Sequence, residues 1–224
     1  MILANVLGEK EGNLRQRLRE WCWDKGDKQG KKRTDWQVSQ SFAPLLQWIL
    51  TLWPSEERKL VLAMDATTLK QVFVTLSISV VYRGCAIPVA WAIFPQDQPG
   101  SWKEPWIGLF KSLRGAVPLD WQVVVMADRG LYAHWLFDVI RENHWHPFLR
   151  INTQGLYQPK GENEFKPMRQ LLSAPGTAWA GQVTCFRTNS VEGTLLACWG
   201  PKHLDPWCIL TDLSSEMAVA GNGN

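Results

Sequence analysis

None of the five cysteines, Cys22, Cys85, Cys185, Cys198 and Cys208, stands in a Cys-x-x-Cys pair, and their number is odd. This indicates neither a zinc knuckle nor a complete disulfide framework. Isolated cysteines in apolar surroundings read as small core residues of a reducing compartment. Histidine is scarce. His144 and His146 are close together, but no cysteine or carboxylate cluster accompanies them, which argues against a metal site there. The longest apolar stretch, residues 72–94, is broken by Arg83 and Gly84, so it does not read as a membrane span. The first residues, MILANVLGEKEG, lack a basic region followed by a sufficient apolar run, so no signal peptide is expected and the chain reads as cytoplasmic. Net charge is only +3, compatible with a polyanionic partner but too weak to demand one. There is no internal repeat and no low-complexity tract.

What is present is an ordinary globular composition, 46% hydrophobic and 20% charged over 224 residues, enough for one sizeable core. Fourteen tryptophans are unusual and read first as core and interface fillers. Residues 1–57 form a helical region by pattern. NLRQRLREW puts Leu14, Leu18 and Trp21 on one face, and FAPLLQWILTLWP repeats the pattern until Pro54 stops it. Between them, a polar loop carries Lys31, Lys32 and Arg33. Clustered cations there read as a solvated loop or as phosphate contacts that gain from counterion release.

From residue 58 the pattern changes to strands. KLVLAMDATT is nearly all apolar up to Asp65. QVFVTLSISVVY alternates, with Val72, Val74, Leu76, Ile78 and Val80 on one side. Arg83 and Gly84 make a tight turn into a third strand. SWKEPWIGLFKSLRGA, with Ser101 as its candidate N-cap, brings Trp106, Leu109, Phe110 and Leu113 onto one helical face. WQVVVMAD is a fourth strand, LYAHWLFDVIRENH a helix and PFLRIN a fifth strand. A strand reached by a helical crossover is expected to run parallel to one already in the sheet. Residues 153–213 lose helical periodicity and read as an antiparallel β unit appended to residues 58–152. Residues 214–224 read as a disordered, cut-short tail.

Two of these strands reach an acid. LVLAMD ends in Asp65 and VVVMAD ends in Asp128, 63 positions later. If the two strands are parallel neighbours, the carboxylates leave the sheet at one edge, roughly 4.8 Å apart. Oxygen ligands at that spacing suit two hard cations about 3.5–4 Å apart, Mg²⁺ or Mn²⁺, which clamp the attacking and leaving oxygens of a phosphodiester. A single acid at a strand end is more often a cap or turn residue.

MDATT, VVYRGCAIPVAW, MADRGLY and ILTDL, in this order, resemble the catalytic core of DDE transposases of bacterial insertion sequences over roughly residues 14–213. The resemblance implies an α/β, ribonuclease H-like mixed sheet of strand order 3-2-1-4-5, with an N-terminal helical region and an antiparallel β insertion. It implies that Asp65 and Asp128 are catalytic and bind Mg²⁺ or Mn²⁺ in a two-metal site, and that Arg129 lies near DNA. Transposon ends and target DNA are then the partners, with a homodimer, or a heterodimer with full-length transposase, as the assembly. The expected location is the nucleoid, with no membrane partner.

One departure stands out. The family's third acid lies on a helix after the ILTDL strand, in a tyrosine-arginine-glutamate motif followed by lysine, and nothing here matches it. Glu216, the sole acid after Asp212, falls too early. The metal site is therefore expected to be incomplete in this chain and the chain a truncated copy. A non-catalytic DNA-binding or regulatory remnant is the competing reading. A nuclease using Glu216 as an improvised third ligand, and a structural domain with no DNA role, are two further ones.

Overall fold

Alternating burial along the apolar runs gives strands, and the 3.6-residue runs give short helices that cover them. The computed structural model describes residues 2–21, 23–30, 34–54, 56–98 and 102–220. Met1–Ser41 and Phe42–Asn224 form two compact units. In the first, α1 (Ile2–Leu7) and α2 (Glu11–Arg19) are joined at Gly8, whose φ of 64° is open to glycine at no steric cost. Ala4 and Leu14 are buried. Leu18 and Trp21, expected on the apolar face with Leu14, are largely exposed, and Trp21 instead packs edge-on against Trp36 at 4.7 Å. The Lys25 N–H donates to the Asp35 carboxylate at 2.6 Å and so ties the polar loop to the segment after it.

The expected boundary at residue 57 lies too late. The helix α3 (Phe42–Thr51) belongs to the second unit. It buries Phe42, Leu46 and Ile49, and Phe42 meets Trp91 with ring centroids 4.8 Å apart. That apolar stripe is why it goes with the sheet.

The sheet begins with β1 (Lys59–Leu69), β2 (Phe73–Tyr82) and β3 (Cys85–Pro95), an antiparallel meander. Arg83 and Gly84 close the second hairpin with φ of 47° and 78°, the two left-handed residues that a type I′ turn needs. The helix α4 (Lys103–Ser112) then crosses over to β4 (Gln122–Ala127), and α5 (His134–Glu142) crosses to β5 (His146–Ile151). Trp106, Leu109, Phe110 and Leu113 are buried as expected. The N-cap of α4 is Trp102, and the proposed cap Ser101 lies outside the described residues. Both crossovers return parallel: β4 pairs with β1, and β5 with β4.

The remaining strands, β6 (Leu156–Pro159), β7 (Lys166–Pro167), β8 (Ala178–Cys185), β9 (Val191–Cys198) and β10 (Trp207–Thr211), pair antiparallel. They join the first five because β10 pairs with β5. One ten-stranded mixed sheet results, in the order β3-β2-β1-β4-β5-β10-β9-β8-β6-β7. One of its faces carries Leu60, Leu62 and Met64, Val123, Val125 and Ala127, and Leu149 and Ile151, all buried. At roughly 1.5–3 kcal/mol for each fully buried large aliphatic side chain, this layer is the main source of stability.

Cys185 and Cys208 are core residues as expected, and burial pushes their thiols up to about 12 and about 11. Cys85 and Cys198 are exposed, against that expectation. The tail also differs from the reading as disordered. Ser215–Ala220 form a helix, α6, whose Met217 N–H is accepted by the Ser214 hydroxyl at 3.4 Å. Its start is fixed by a buried chain of bonds: Gln182 donates to the Thr194 hydroxyl, Thr194 to the Leu213 carbonyl, and the Leu213 N–H to the Thr211 hydroxyl. A Cβ at Gly193 would stand 2.5 Å from the Thr211 carbonyl oxygen, so glycine is required where β9 passes β10. Among the described residues no helix is long and apolar enough to cross a membrane.

Candidate functional site

Strand pairing decides which side chains meet. The parallel register of β1 and β4 ends with Met64 beside Ala127, so the next pair in step is Asp65 and Asp128. The register of β4 and β5 ends with Ala127 beside Leu149, so Asp128 is next to Arg150. Side chains alternate along a strand. Asp65, Asp128 and Arg150 therefore share the face opposite the buried layer, at the edge where the parallel pairing of the three strands ends and where open α/β sheets commonly bind ligands.

The two aspartates differ in backbone setting. β4 stops at Ala127, and Asp128 caps the short 3-10 turn Arg129–Leu131 by accepting the Arg129 N–H at 2.6 Å. β1 does not end at its acid, contrary to the sequence reading. It continues to Leu69, because residues 66–69 go on pairing with β2 after β4 has ended. Asp65 thus sits mid-strand, opposite Ser77, and its Oδ2 accepts the hydroxyl of Thr67 two residues on.

Asp128 is 74% exposed at its side chain, whereas Arg150 is only 23% exposed. The Arg150 Nη1 donates to Asp128 Oδ1 at 3.0 Å, and the guanidinium carbon lies 4.3 Å from the centre of the Trp207 ring. The Arg129 N–H bond holds the Asp128 carboxyl below the usual carboxylate range; desolvation opposes it, and the Arg150 hydrogen bond and the Arg150 and Arg129 charges add to the lowering. Both bonds fall on Oδ1. Oδ2 receives neither.

Asp128 and Arg150 line a cavity of about 350 Å³, together with Met126, Phe148, Trp207 and Ile209. These last four also line a larger cleft of about 650 Å³ that runs along the same face to Trp179, Leu196 and His203. The acidic edge therefore opens into a long apolar cleft walled by two tryptophans.

As a donor set, Asp65 and Asp128 offer carboxylate oxygens with no thiolate or imidazole among the residues lining the cavity. That chemistry fits Mg²⁺ or Mn²⁺ better than zinc. Two carboxylates occupy a minority of an octahedral shell. Among the described residues no group of three His, Cys, Asp or Glu gathers.

Glu216 is remote from this edge. β10 runs antiparallel to β5, so the chain leaves it at Thr211, level with Phe148 and toward the opposite end of the sheet. α6 then packs near β8 and β9. The improvised third ligand is not brought to the pair. Arg129 contributes its backbone N–H, while its side chain is exposed. Lys31, Lys32 and Arg33 lie outside the described residues.

His146 is occupied elsewhere. Its Nδ1 is 3.0 Å from Asp212 Oδ1, and Arg141 Nε is 3.5 Å from Asp212 Oδ2. Arg150, Thr67 and Trp207 were missed in the sequence. For Arg150 the signal was there: PFLRIN places one cation in an otherwise apolar strand, the same interruption that marked Asp128.

The fold and edge define a mixed α/β protein with two carboxylates and an arginine adjacent in register where the parallel pairing of β1, β4 and β5 ends. No protein-family model matches the chain, and no curated protein matches it. Among solved structures, the catalytic domain of human endonuclease V is similar over 94% of this chain and 86% of that one, at 16% identity and a TM-score of 0.39.

Proposed function

We propose that this chain is a transposase-derived protein of the DDE type, whose complete form cleaves and joins DNA strands with divalent metal, and that as it stands it falls short of the full catalytic set. The observation carrying this reading is the step from the Met64–Ala127 pair to Asp65 and Asp128 on parallel neighbours. The ribonuclease H-like assignment is supported by the order β3-β2-β1-β4-β5 with β1, β4 and β5 parallel, and by a β unit inserted after β5. The resemblance of MDATT and MADRGLY to the family motifs adds the chemistry.

In this reading Asp65 and Asp128 hold Mg²⁺ or Mn²⁺, which would stabilise the attacking and leaving oxygens of a phosphodiester. Thr67 fixes one oxygen of Asp65, and the Arg129 N–H fixes one of Asp128. Arg150 and the exposed Arg129 supply positive charge for the DNA backbone, and Lys31, Lys32 and Arg33 are proposed to add sequence-independent phosphate contacts. Nucleoid association would follow from such binding.

The third acid of the family motif has no counterpart in the sequence. Mg²⁺ holds near-ideal octahedral geometry, so the loss of a carboxylate lowers the cleavage rate by orders of magnitude. The test is an end-cleavage assay in Mg²⁺ or Mn²⁺ on transposon-end DNA, comparing this chain with one extended through a tyrosine-arginine-glutamate helix. Silence in the short chain and cutting in the extended one, lost again on Asp128→Ala, is the expected result. Cutting by the short chain that vanishes on Asp128→Ala would mean that it supplies its own third ligand. Salt-sensitive DNA binding with no cutting in either form would favour the non-catalytic, regulatory reading.

A further inference from the structure

Arg150 has two partners at once, and they have different claims on it. Asp128 Oδ1 takes a hydrogen bond from Nη1 at 3.0 Å, while the indole of Trp207 lies under the guanidinium at 4.3 Å. We propose that Arg150 is a tethered counter-ion that competes with a divalent cation for Asp128, and that it gives the carboxylate up to a phosphodiester anion entering the cleft, so that metal loading is coupled to the arrival of nucleic acid. This deepens the reading of Asp65 and Asp128 as a metal site and rests on it.

Three observations carry it. First, Arg150 lies next to Asp128 in register and bonds the oxygen that the Arg129 N–H also holds, so the carboxylate is already charge-paired without a metal. A guanidinium keeps its charge at all working pH values, so at neutral pH it remains a competitor until a rival anion or cation takes its place. Second, the pairing is weak enough to lose. Asp128 is 74% exposed, and ion pairs of that kind are worth little in water. Third, Trp207 gives Arg150 somewhere to stay when it lets go. A guanidinium bonds through its edge and stacks through its face, so leaving Asp128 does not require leaving the indole.

The cleft selects the rival. Arg150 lines the cavity beside Met126, Phe148, Trp207 and Ile209, an apolar wall with one cation at its acidic end. An entering anion must satisfy a planar fork of N–H donors, which phosphate oxygens do two at a time. The apolar walls suit the bases and sugars that a phosphodiester carries with it.

The experiment is Mn²⁺ binding to the full chain, read from the electron paramagnetic resonance signal of free Mn²⁺, with and without a short single-stranded DNA oligonucleotide. The wild type is expected to bind Mn²⁺ weakly alone and several-fold more tightly with the oligonucleotide. Arg150→Gln is expected to bind Mn²⁺ about fivefold more tightly than wild type without DNA, and to lose the enhancement by DNA. Asp65→Asn and Asp128→Asn controls must weaken binding by about a hundredfold or more. Aspartate-dependent binding that Arg150→Gln leaves equal or weakens would overturn this inference and leave the metal site standing. Absence of Mn²⁺ binding in every variant, Arg150→Gln included, would sink both. If Arg150→Gln fails to fold by circular dichroism, Trp207→Leu takes its place. That change removes the stacked position, and the enhancement by DNA should shrink; an undiminished enhancement would contradict the proposal.

Discussion

Strand β5 has a side chain that meets an aspartate near each end, and the two ends behave differently. Toward its carboxyl end, Arg150 meets Asp128; at its start, His146 meets Asp212. Asp212 is 20% exposed and engaged through both oxygens, by His146 at 3.0 Å and Arg141 at 3.5 Å. Asp128 is mostly exposed, engaged through one oxygen, and stands beside a second carboxylate. An ion pair by itself therefore says little about function. The two acids differ in that Asp128 leaves Oδ2 outside both of its bonds and lies one step in register from Asp65. The apolar cleft begins at the Asp128 end.

The sharpest way to break this contrast is metal binding. Asp65→Asn or Asp128→Asn should weaken Mn²⁺ binding by about a hundredfold or more, since loss of even an outer partner of a metal ligand costs 10- to 100-fold. Asp212→Asn should leave binding unchanged, as measured by calorimetry. Equal losses from both ends of the sheet would erase the distinction.

Stability should show the reverse. Asp212→Ala strands a part-buried histidine and an arginine and is expected to cost about 1–3 kcal/mol in urea denaturation. Asp128→Ala removes an exposed charge and the cap of a short turn, and should cost no more than about 0.5–1 kcal/mol. A large loss at Asp128 would make it a structural acid after all.

The smallest effect concerns pH. The Asp128 carboxyl is held below the usual range in the folded state, chiefly by the Arg129 N–H. A depressed folded value means the unfolded chain takes up the proton first. Its contribution is therefore present above the ordinary carboxylate range and lost as pH falls below it. Wild type should lose slightly more stability than Asp128→Asn between about pH 4 and pH 2. Parallel acid-denaturation curves would mean that folding does not lower the Asp128 carboxyl below its unfolded value.

These experiments bear on different kinds of information in the chain. Helix α4 was legible because Trp106, Leu109, Phe110 and Leu113 recur at helical spacing, and the β2–β3 hairpin because Arg83-Gly84 sits between two alternating runs. The crossovers made parallel pairing of β4 foreseeable from the handful of ways a helix returns a strand to its sheet. The unit boundary was not legible. α2 and α3 have similar patterns, and the burial of Phe42, Leu46 and Ile49, with Phe42 against Trp91, assigns α3 to the sheet.

Local sequence determined which residues form strands, where the hairpins turn and that Asp65 and Asp128 interrupt apolar runs, because periodicity and turn chemistry act over a few neighbouring residues. Tertiary structure alone decided that β1 continues past Asp65, that Arg150 lies against Asp128 and Trp207, and that Glu216 emerges toward the other end of the sheet. Each of these depends on register between strands far apart in the chain, and register is set by the whole buried face at once. A slip of one residue would turn every side chain over. The two aspartates were visible as candidates in the sequence, but their partner was fixed by the packing of Leu149 and Ile151 into the core, which leaves Arg150 on the open face.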